Sequence, residues 1–225
     1  MLQQDDLTLL QRCLPPLGAL HESDLQTVRR AGSREETEKG GLLLSRGREC
    51  NGLVLVAQGQ LRAFVELEDG KEITLYRLLP RDVCILTASC VLRNITFDVT
   101  LQAEKPSRIL RIPATVWKTL ADRYPAVREF SMELVAARFS EVMWVMEQMV
   151  SKNMGQRVAA FLLEQSVLEG TDSLAVTHET IARNLGTARE VVTRTLRYLQ
   201  NEGLLEVSRG CIRLKDLPGL RRLGS

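Results

Sequence analysis

Four polar residues, Arg189, Glu190, Thr193 and Arg194, lie close together towards the end of the sequence. An arginine can donate two hydrogen bonds to O6 and N7 of guanine, and a carboxylate can accept one from N4 of cytosine. On one face of a helix, side chains of these types could therefore contact base edges in the major groove of DNA. Three neighbouring polar residues could also contact the duplex: Thr187, His178 and Arg197.

Residues 177–199 predict two helices joined by a tight turn. Thr177 is a candidate N-cap for the first helix, and Gly186 permits the turn because it lacks a Cβ and tolerates a positive φ. Apolar residues recur at helical spacing and should face inward in both helices: Ile181, Ala182, Leu185, Val192, Leu196 and Leu199. The polar residues would then occupy the opposite side of the second helix.

Two of the polar residues have a structural interpretation beside the functional one. Thr187 can cap the second helix, and Thr187 with Glu190 also fits the spacing of a capping box. Glu190 is therefore predicted either to contact a base or to cap the helix. His178 falls in the first turn of the preceding helix, where we expect it to approach a phosphate or to cap the helix rather than to bind a metal.

Charge is unevenly distributed along the chain, although the net charge of the 225 residues is only +2. From Ile181 to the end there are nine Lys and Arg against four Asp and Glu. A basic segment around the predicted helices is what contact with phosphates requires. A solvated basic tail would have a similar composition.

Neither catalysis nor membrane insertion is indicated. The sequence contains only two histidines, and it shows no nucleophile–base pair, glycine-rich phosphate loop or metal-ligand spacing, so we do not expect an enzyme. No apolar run approaches the length of about 18 residues that spans a bilayer. The first residues include acids and do not fit a secretory signal, so we expect a cytoplasmic protein.

The five cysteines are scattered, and their odd number argues against a disulfide framework. Cys84 and Cys90 are six residues apart and could approach one another if the intervening segment folds back. They could then form a redox switch. The alternative is that both are small buried apolar side chains, which cysteine often is.

The preceding part of the chain alternates between helical and strand patterns. Residues 1–30 predict short helices, and residues 36–113 contain about eight short β-type runs separated by turns such as Asp69-Gly70. These runs favour an antiparallel barrel or sandwich. Residues 151–155 are a candidate hinge, and two short strands flanking Arg209-Gly210 predict a wing beside the second helix.

A long helix is predicted to begin at Pro125, since proline is favoured at the first helical position. Six apolar residues in it step by three and four, as in a coiled-coil seam, and predict dimerisation: Met132, Val135, Phe139, Val142, Met146 and Met149. A second stripe contains Phe130, Leu134, Ala137 and Trp144. One stripe could face the barrel and the other a second subunit. The alternative is a single amphipathic face that lies on the barrel.

The order of these parts resembles the CRP/FNR transcription regulators, the family of the cyclic-AMP receptor protein and the fumarate-nitrate regulator. The most specific motifs are ETIARNLGTAREVVTRTLRYLQNEGLL and GLVLVAQGQLRAFVELEDGKEITLYRLLPRD. The resemblance implies an α+β fold. Its parts would be a cyclic-nucleotide-binding-like antiparallel β-barrel (jelly roll) with N-terminal helices in residues 1–123, a dimerisation helix in 124–152 and a winged helix-turn-helix in 153–225.

The family resemblance also implies function and partners. It implies a sequence-specific regulator that binds a pseudo-palindromic operator in double-stranded DNA as a homodimer, with RNA polymerase as a further partner. Arg189, Glu190 and Arg194 match the base-reading positions of the family, and Thr193 matches a serine used by the FNR branch.

The resemblance leaves the effector open. Phe97 and Asp98 fall where the cyclic-nucleotide branch has its phosphate-binding arginine, and Val142 and Met143 are apolar where that branch meets the base, so we do not expect cyclic AMP. Only Cys13 lies in the N-terminal region, which excludes the four-cysteine cluster of the FNR branch. Three alternatives remain. The protein could respond to a redox signal, haem or another small molecule near Cys84, Cys90, Val142 and Met143, it could bind a cyclic nucleotide in an unusual pocket, or it could act without an effector. No cofactor is assigned.

Overall fold

A computed structural model describes residues 1–44, 52–84 and 99–224 of the chain. These residues belong to two units. The first contains Met1–Val65 and Leu75–Val142, and the second contains Glu66–Thr74 and Met143–Ser225. Cys90 and the expected phosphate-contact positions Phe97 and Asp98 lie outside the described residues.

The first unit begins with helices that pack against the sheet. Helix α1 spans Gln4–Cys13, a short 3₁₀ helix spans Pro15–Ala19 and α2 spans Glu22–Ala31. Leu7, Leu10 and Leu14 are buried in one apolar cluster, and their spacing of three and four places them on one helical face. Helix α1 ends before Pro15 because proline cannot continue the hydrogen-bond pattern.

Among the described residues, six strands form the sheet in the N-terminal half of the chain: β1 (Ser33–Thr37), β2 (Leu42–Leu44), β3 (Leu53–Glu66), β4 (Glu72–Leu78), β5 (Val83–Cys84) and β6 (Thr100–Ile112). The strand order is β1-β6-β3-β4, with β2 also on β6 and β5 also on β3. The strands β1, β2 and β3 pair with β6 in antiparallel fashion. This antiparallel sheet confirms the expected class of the N-terminal domain.

Gly59 does not separate two strands, although a glycine between two apolar runs is typical of a turn. It lies inside β3, where the register with β6 shifts around Gln58 and Gln60. Its φ is +93°, and an added Cβ would lie 2.2 Å from Oγ of Ser107. A bulge with a left-handed glycine lets one long strand bend without ending, which the sequence pattern does not distinguish from a turn.

Helix α3 (Ala114–Arg123) precedes the long helix α4, which spans Pro125–Ser151 with proline at its first position. Phe130, Leu134 and Val135 pack against the core of the first unit, and Val142 packs against the inner face of the sheet. Large apolar side chains of α4 remain exposed: Met132, Phe139, Met143, Trp144, Met146, Met149 and Val150.

The second unit contains three helices, a small sheet and a final helix: α5 (Met154–Glu169), β7 (Ser173–Leu174), α6 (His178–Asn184), α7 (Arg189–Asn201), β8 (Leu205–Ser208), β9 (Cys211–Leu214) and α8 (Leu217–Gly224). The strand order is β7-β9-β8, so the predicted two-stranded wing has a third strand. A capping box between Asn153 and Gln156 begins α5 two residues after α4 ends. Among the helices of the described residues, none is long and apolar enough to cross a membrane.

Candidate nucleic-acid interface

Helices α6 and α7 form the predicted helix-turn-helix. Oγ1 of Thr177 accepts a hydrogen bond of 3.1 Å from the backbone N of Thr180, which confirms Thr177 as the N-cap of α6. Val192, Leu196 and Leu199 are buried in the core of the second unit. Since these three residues define the inner side of α7, they determine which residues point outward.

Gly186 makes the turn between the two helices. Its φ is +63°, and an added Cβ would lie 2.7 Å from Cγ1 of Ile73. Ile73 forms an antiparallel bridge with Leu185, and the guanidinium of Arg157 donates a 2.6 Å hydrogen bond to the carbonyl of Leu185. Burial lowers the pKa of Arg157. The turn is therefore fixed both by its backbone conformation and by contacts from two other elements.

The expected capping role of Thr187 is wrong. Helix α7 begins at Arg189, its N-cap is Ala188, and no side chain caps it. With Ala188 at the N-cap, the residue at the third helical position is Val191, so Thr187 and Glu190 are out of register for a capping box. The carboxylate of Glu190 is exposed and does not have the competing structural role that its spacing suggested.

The outward side of α7 carries the residues expected to read DNA. Arg189, Glu190, Arg194 and Arg197 are all exposed. At 3.6 residues per turn, Glu190, Arg194 and Arg197 form one stripe opposite the buried leucines, and Arg189 lies to one side of it. The structure thus presents two arginines and one carboxylate together on a helix face that is free of intramolecular packing.

Thr193 lies between this stripe and α6. Its Oγ1 donates a 2.9 Å hydrogen bond to the carbonyl of Arg189 and is 2.9 Å from Nδ1 of His178. The Thr193 hydroxyl is therefore engaged inside the helix-turn-helix, whereas the sequence pattern placed it on the front with the two arginines. His178 is half-buried at the start of α6 and contacts α7 through this bond.

A groove of about 460 Å³ separates the helix-turn-helix from the wing. Its charged and titratable lining comprises His178, Glu179, Arg189 and Arg209. The sequence pattern placed Arg209 in the turn of the wing and did not predict that it lines this groove. The Arg209-Gly210 pair between two short strands is the sequence feature that could have indicated it. Oε1 of Gln200 accepts a 2.8 Å hydrogen bond from the backbone N of Val207, which links α7 to the wing.

Ion pairing also supports the wing. The Lys215 ammonium lies 2.9 Å from Oε2 of Glu206, and this hydrogen bond lowers the pKa of the exposed Glu206 carboxyl. Surface pairs of this kind contribute little to stability.

In the first unit, the expected effector region contains a network of buried polar side chains. The Cys84 thiol is 1 % exposed, and its Sγ is 3.7 Å from the Tyr76 hydroxyl. The Arg138 guanidinium of α4 lies over the Tyr76 ring, donates to both carboxylate oxygens of Glu141 and donates a 3.1 Å hydrogen bond to the carbonyl of Val83. Strand β5 is thereby tied directly to α4.

Burial and neighbouring groups determine the protonation states of Tyr76 and Arg138 in this network. Desolvation, with the neighbouring Cys84, raises the pKa of the Tyr76 hydroxyl well above its usual range. Burial alone would lower the pKa of Arg138, but the hydrogen bonds and charge of Glu141 outweigh it and raise that pKa. Tyr76 is therefore a neutral hydrogen-bonding group and Arg138 a cation.

Two known domain types match the chain. The family profile of the cyclic nucleotide-binding domain matches residues 34–124, and that of the Crp-like helix-turn-helix domain matches residues 156–223. A crystal structure of a CRP/FNR-family protein from Eubacterium rectale is 42 % identical, with 95 % of this chain and 99 % of that chain covered and a TM-score of 0.91.

Curated relatives agree with these matches over nearly the whole chain. The anaerobic regulatory protein of Haemophilus influenzae is 24 % identical over 97 % of this chain and 86 % of its own length. The transcriptional activator protein FnrA of Stutzerimonas stutzeri is 26 % identical over 96 % and 89 %.

A sensor-type antiparallel sheet followed by a winged helix-turn-helix defines a DNA-binding transcription regulator. The chain belongs to the CRP/FNR family of these regulators.

We predict that Thr177→Ala lowers the free energy of unfolding of the second unit by about 0.5–2 kcal/mol, because the N-cap of α6 is lost. Thr187→Ala is the matched control and should change it by less than about 0.5 kcal/mol, since its hydroxyl caps no helix. Urea denaturation followed by circular dichroism measures both. A loss of the same size in Thr187→Ala would show that Thr187 caps α7 in solution.

Proposed function

We propose that the protein reads its operator with Arg189, Glu190 and Arg194 of α7, one copy of the helix entering each of two successive major grooves. The observation that carries this proposal is the exposed stripe on α7, which joins arginine and carboxylate groups on a face fixed by the buried leucines. Arginine is suited to guanine and glutamate to cytosine, so the stripe has the chemistry to discriminate G·C pairs.

Two other exposed arginines are assigned to the DNA backbone in this proposal. Arg197 lies on the outward side of α7, two turns after Arg189, and Arg209 lies at the tip of the wing. Contacts with phosphates position a protein on the duplex without reading sequence. Specificity would then depend on the first two turns of α7.

Replacing Arg194 by alanine should weaken operator binding by about 1–3 kcal/mol per half-site and relax discrimination at one base pair. The operator sequence can be obtained by selecting bound duplexes from a random pool, and affinities can be measured by fluorescence anisotropy. Arg222→Ala in α8 is the control, since that guanidinium is exposed and its ion-pair partner is Asp216 of the same segment. Equal weakening on every sequence would assign Arg194 to a phosphate instead.

We propose further that the protein is a homodimer through α4. The exposed apolar residues that support this are spaced by seven, four, three and four along one side of the helix: Met132, Phe139, Met143, Met146 and Val150. Phe139 is 64 % exposed and Met132 60 %. The proposed interface thus differs from the predicted seam, because Val135 and Val142 pack within the first unit.

A Phe139→Glu variant should be monomeric, because two carboxylates would face one another in an apolar interface. Multi-angle light scattering after size-exclusion chromatography gives the mass. Val167→Glu is a matched control, since Val167 is 81 % exposed on α5 and lies outside the proposed interface. An unchanged dimer mass in Phe139→Glu would place the subunit contact elsewhere.

The signal is proposed to reach α4 through β5. Arg138 joins the helix to the carbonyl of Val83, so a ligand or modification that moves the chain around β5 would move α4 with it. We propose that the effector is a small molecule other than cyclic AMP. We also propose that the protein contacts RNA polymerase when it is bound to DNA. A redox signal is less well supported, because the Cys84 thiol is buried and hydrogen-bonded to Tyr76.

A thiol switch can be tested directly. We expect the wild type and a Cys84→Ser, Cys90→Ser double variant to bind the selected operator equally well under reducing conditions and after treatment with diamide. An affinity difference between the two conditions that the wild type shows and the double variant lacks would establish the switch.

A further inference from the structure

The segment Glu66–Thr74 includes the turn between β3 and β4 and belongs to the second unit. Its last residues lie on the turn of the helix-turn-helix, where Ile73 forms a bridge with Leu185 and Thr74 donates a 2.7 Å hydrogen bond to Asn184. We propose that this segment is an autoinhibitory clamp, which must leave the turn before α7 enters the major groove. The inference rests on the proposed reading of the operator by α7, and it adds an internal element that opposes DNA binding.

Contacts of three kinds define the docked position of the clamp. The first is the backbone bridge of Ile73. The second uses the buried Asn184, whose amide nitrogen donates a 2.8 Å hydrogen bond to the carbonyl of Thr180 while its oxygen accepts from Thr74. The third is apolar, since Ile73 is 8 % exposed and its Cγ1 would lie 2.7 Å from a Cβ added at Gly186. The glycine of the turn therefore allows the close approach of Ile73 as well as the positive φ.

The clamp can leave the turn without unfolding the helix-turn-helix. Arg157 of α5 donates its hydrogen bond to the carbonyl of Leu185 from the contiguous part of the second unit, so the turn keeps this support when the segment is released. The hydrogen bond of Thr74 is exchanged for hydrogen bonds to water at a modest net cost. Strand β4 continues beyond Thr74 to Tyr76, a member of the buried network in the expected effector region. A signal that moves β4 would therefore withdraw the clamp.

The charge of the segment explains why docking opposes DNA binding. The segment contains four carboxylates and one ammonium group, a net charge of −3: Glu66, Glu68, Asp69, Glu72 and Lys71. The backbone carbonyl oxygen of Glu72 would lie 3.5 Å from a Cβ added at Gly186, and Gly186 precedes the start of α7 by three residues. The docked segment therefore adds negative charge near the helix that must approach the phosphates of DNA, and like charges repel.

Docking and DNA binding then compete for the same turn. When a protein binds its ligand only in one of two states, the apparent affinity is reduced by the fraction of molecules in the competent state. Loss of a docking contact increases the population without the clamp. We therefore expect substitutions that weaken the clamp to strengthen operator binding, although they lie outside α7 and remove contacts that the free protein makes.

The first test measures the affinity of the full-length protein for a labelled duplex, selected by the protein from a random pool. Thr74→Val keeps the shape of the side chain but removes the hydroxyl, and it should bind about three- to tenfold more tightly than the wild type. Thr74→Ser keeps the hydroxyl and should bind as the wild type does. Thr37→Val is the matched control, because Thr37 lies on β1 in the first unit, and its affinity should also be unchanged.

A second variant and a second measurement make the test independent of one substitution. Ile73→Ala removes the apolar contact with Gly186 and should also bind more tightly, whereas combining it with Thr74→Val should add little, since both release the same clamp. Hydrogen exchange of the wild type in residues 70–76 should become faster when the selected duplex is added. Contact with DNA alone would slow the exchange, so faster exchange reports release of the segment.

The inference is overturned if Thr74→Val and Ile73→Ala bind the selected duplex only as tightly as the wild type, or more weakly. It is also overturned if exchange in residues 70–76 is unchanged or slower in the DNA complex. The exchange measurement uses the wild type and does not depend on the folding of any variant. Failure of the proposed function is recognised separately, because neither the wild type nor the variants would then select a sequence from the pool.

Discussion

The rotation of α7 about its own axis is fixed by the burial of Val192, Leu196 and Leu199. Each fully buried side chain of this kind contributes about 1.5–3 kcal/mol, so turning the helix to expose them would cost several kcal/mol. Everything that the interface can do follows from this constraint. It exposes Glu190 and Arg194, and it brings Thr193 to the side where α6 supplies His178.

Helix α4 is subject to a comparable constraint in the first unit. It buries Val127, Ser131 and Arg138 on one side, and the hydroxyl of Ser131 accepts a 3.0 Å hydrogen bond from the indole N–H of Trp117. Because α4 cannot rotate without breaking these contacts, a second side of the same helix is left with exposed methionines and Phe139. On the buried side, Arg138 donates a hydrogen bond to the carbonyl of Val83 in β5. The exposed side is available to another subunit.

Local signals predicted the helix-turn-helix and the wing. Thr177, Gly186 and the buried leucines each act within a few residues of their own position, so spacing and residue type were sufficient. The start of α7 was missed by one residue, because Thr187 and Glu190 satisfy a capping pattern that the turn conformation at Gly186 does not use. A capping pattern shows at which residues a helix could begin. The packing of the surrounding residues determines at which of them it does begin.

Features that depend on contacts between distant residues were not predictable. The three- and four-residue spacing in α4 identified apolar stripes but could not show that Val135 and Val142 face the first unit. Nothing in the sequence pairs His178 with Thr193, and nothing marks Arg138 as the partner of Val83. Each of these contacts depends on the angle at which two elements pack, and that angle is a property of the whole core.

The bridge between Ile73 and Leu185 has a practical consequence for dissecting the protein. The second unit is discontinuous in sequence, since Glu66–Thr74 belongs to it together with Met143–Ser225. The hydroxyl of Thr74 also donates a 2.7 Å hydrogen bond to Oδ1 of the buried Asn184. A fragment cut at Met143 would contain both DNA-binding helices and yet expose the apolar edge at Leu185 and Gly186 to solvent. Such a fragment would lack the bridge at Leu185 and the hydrogen bond to Asn184.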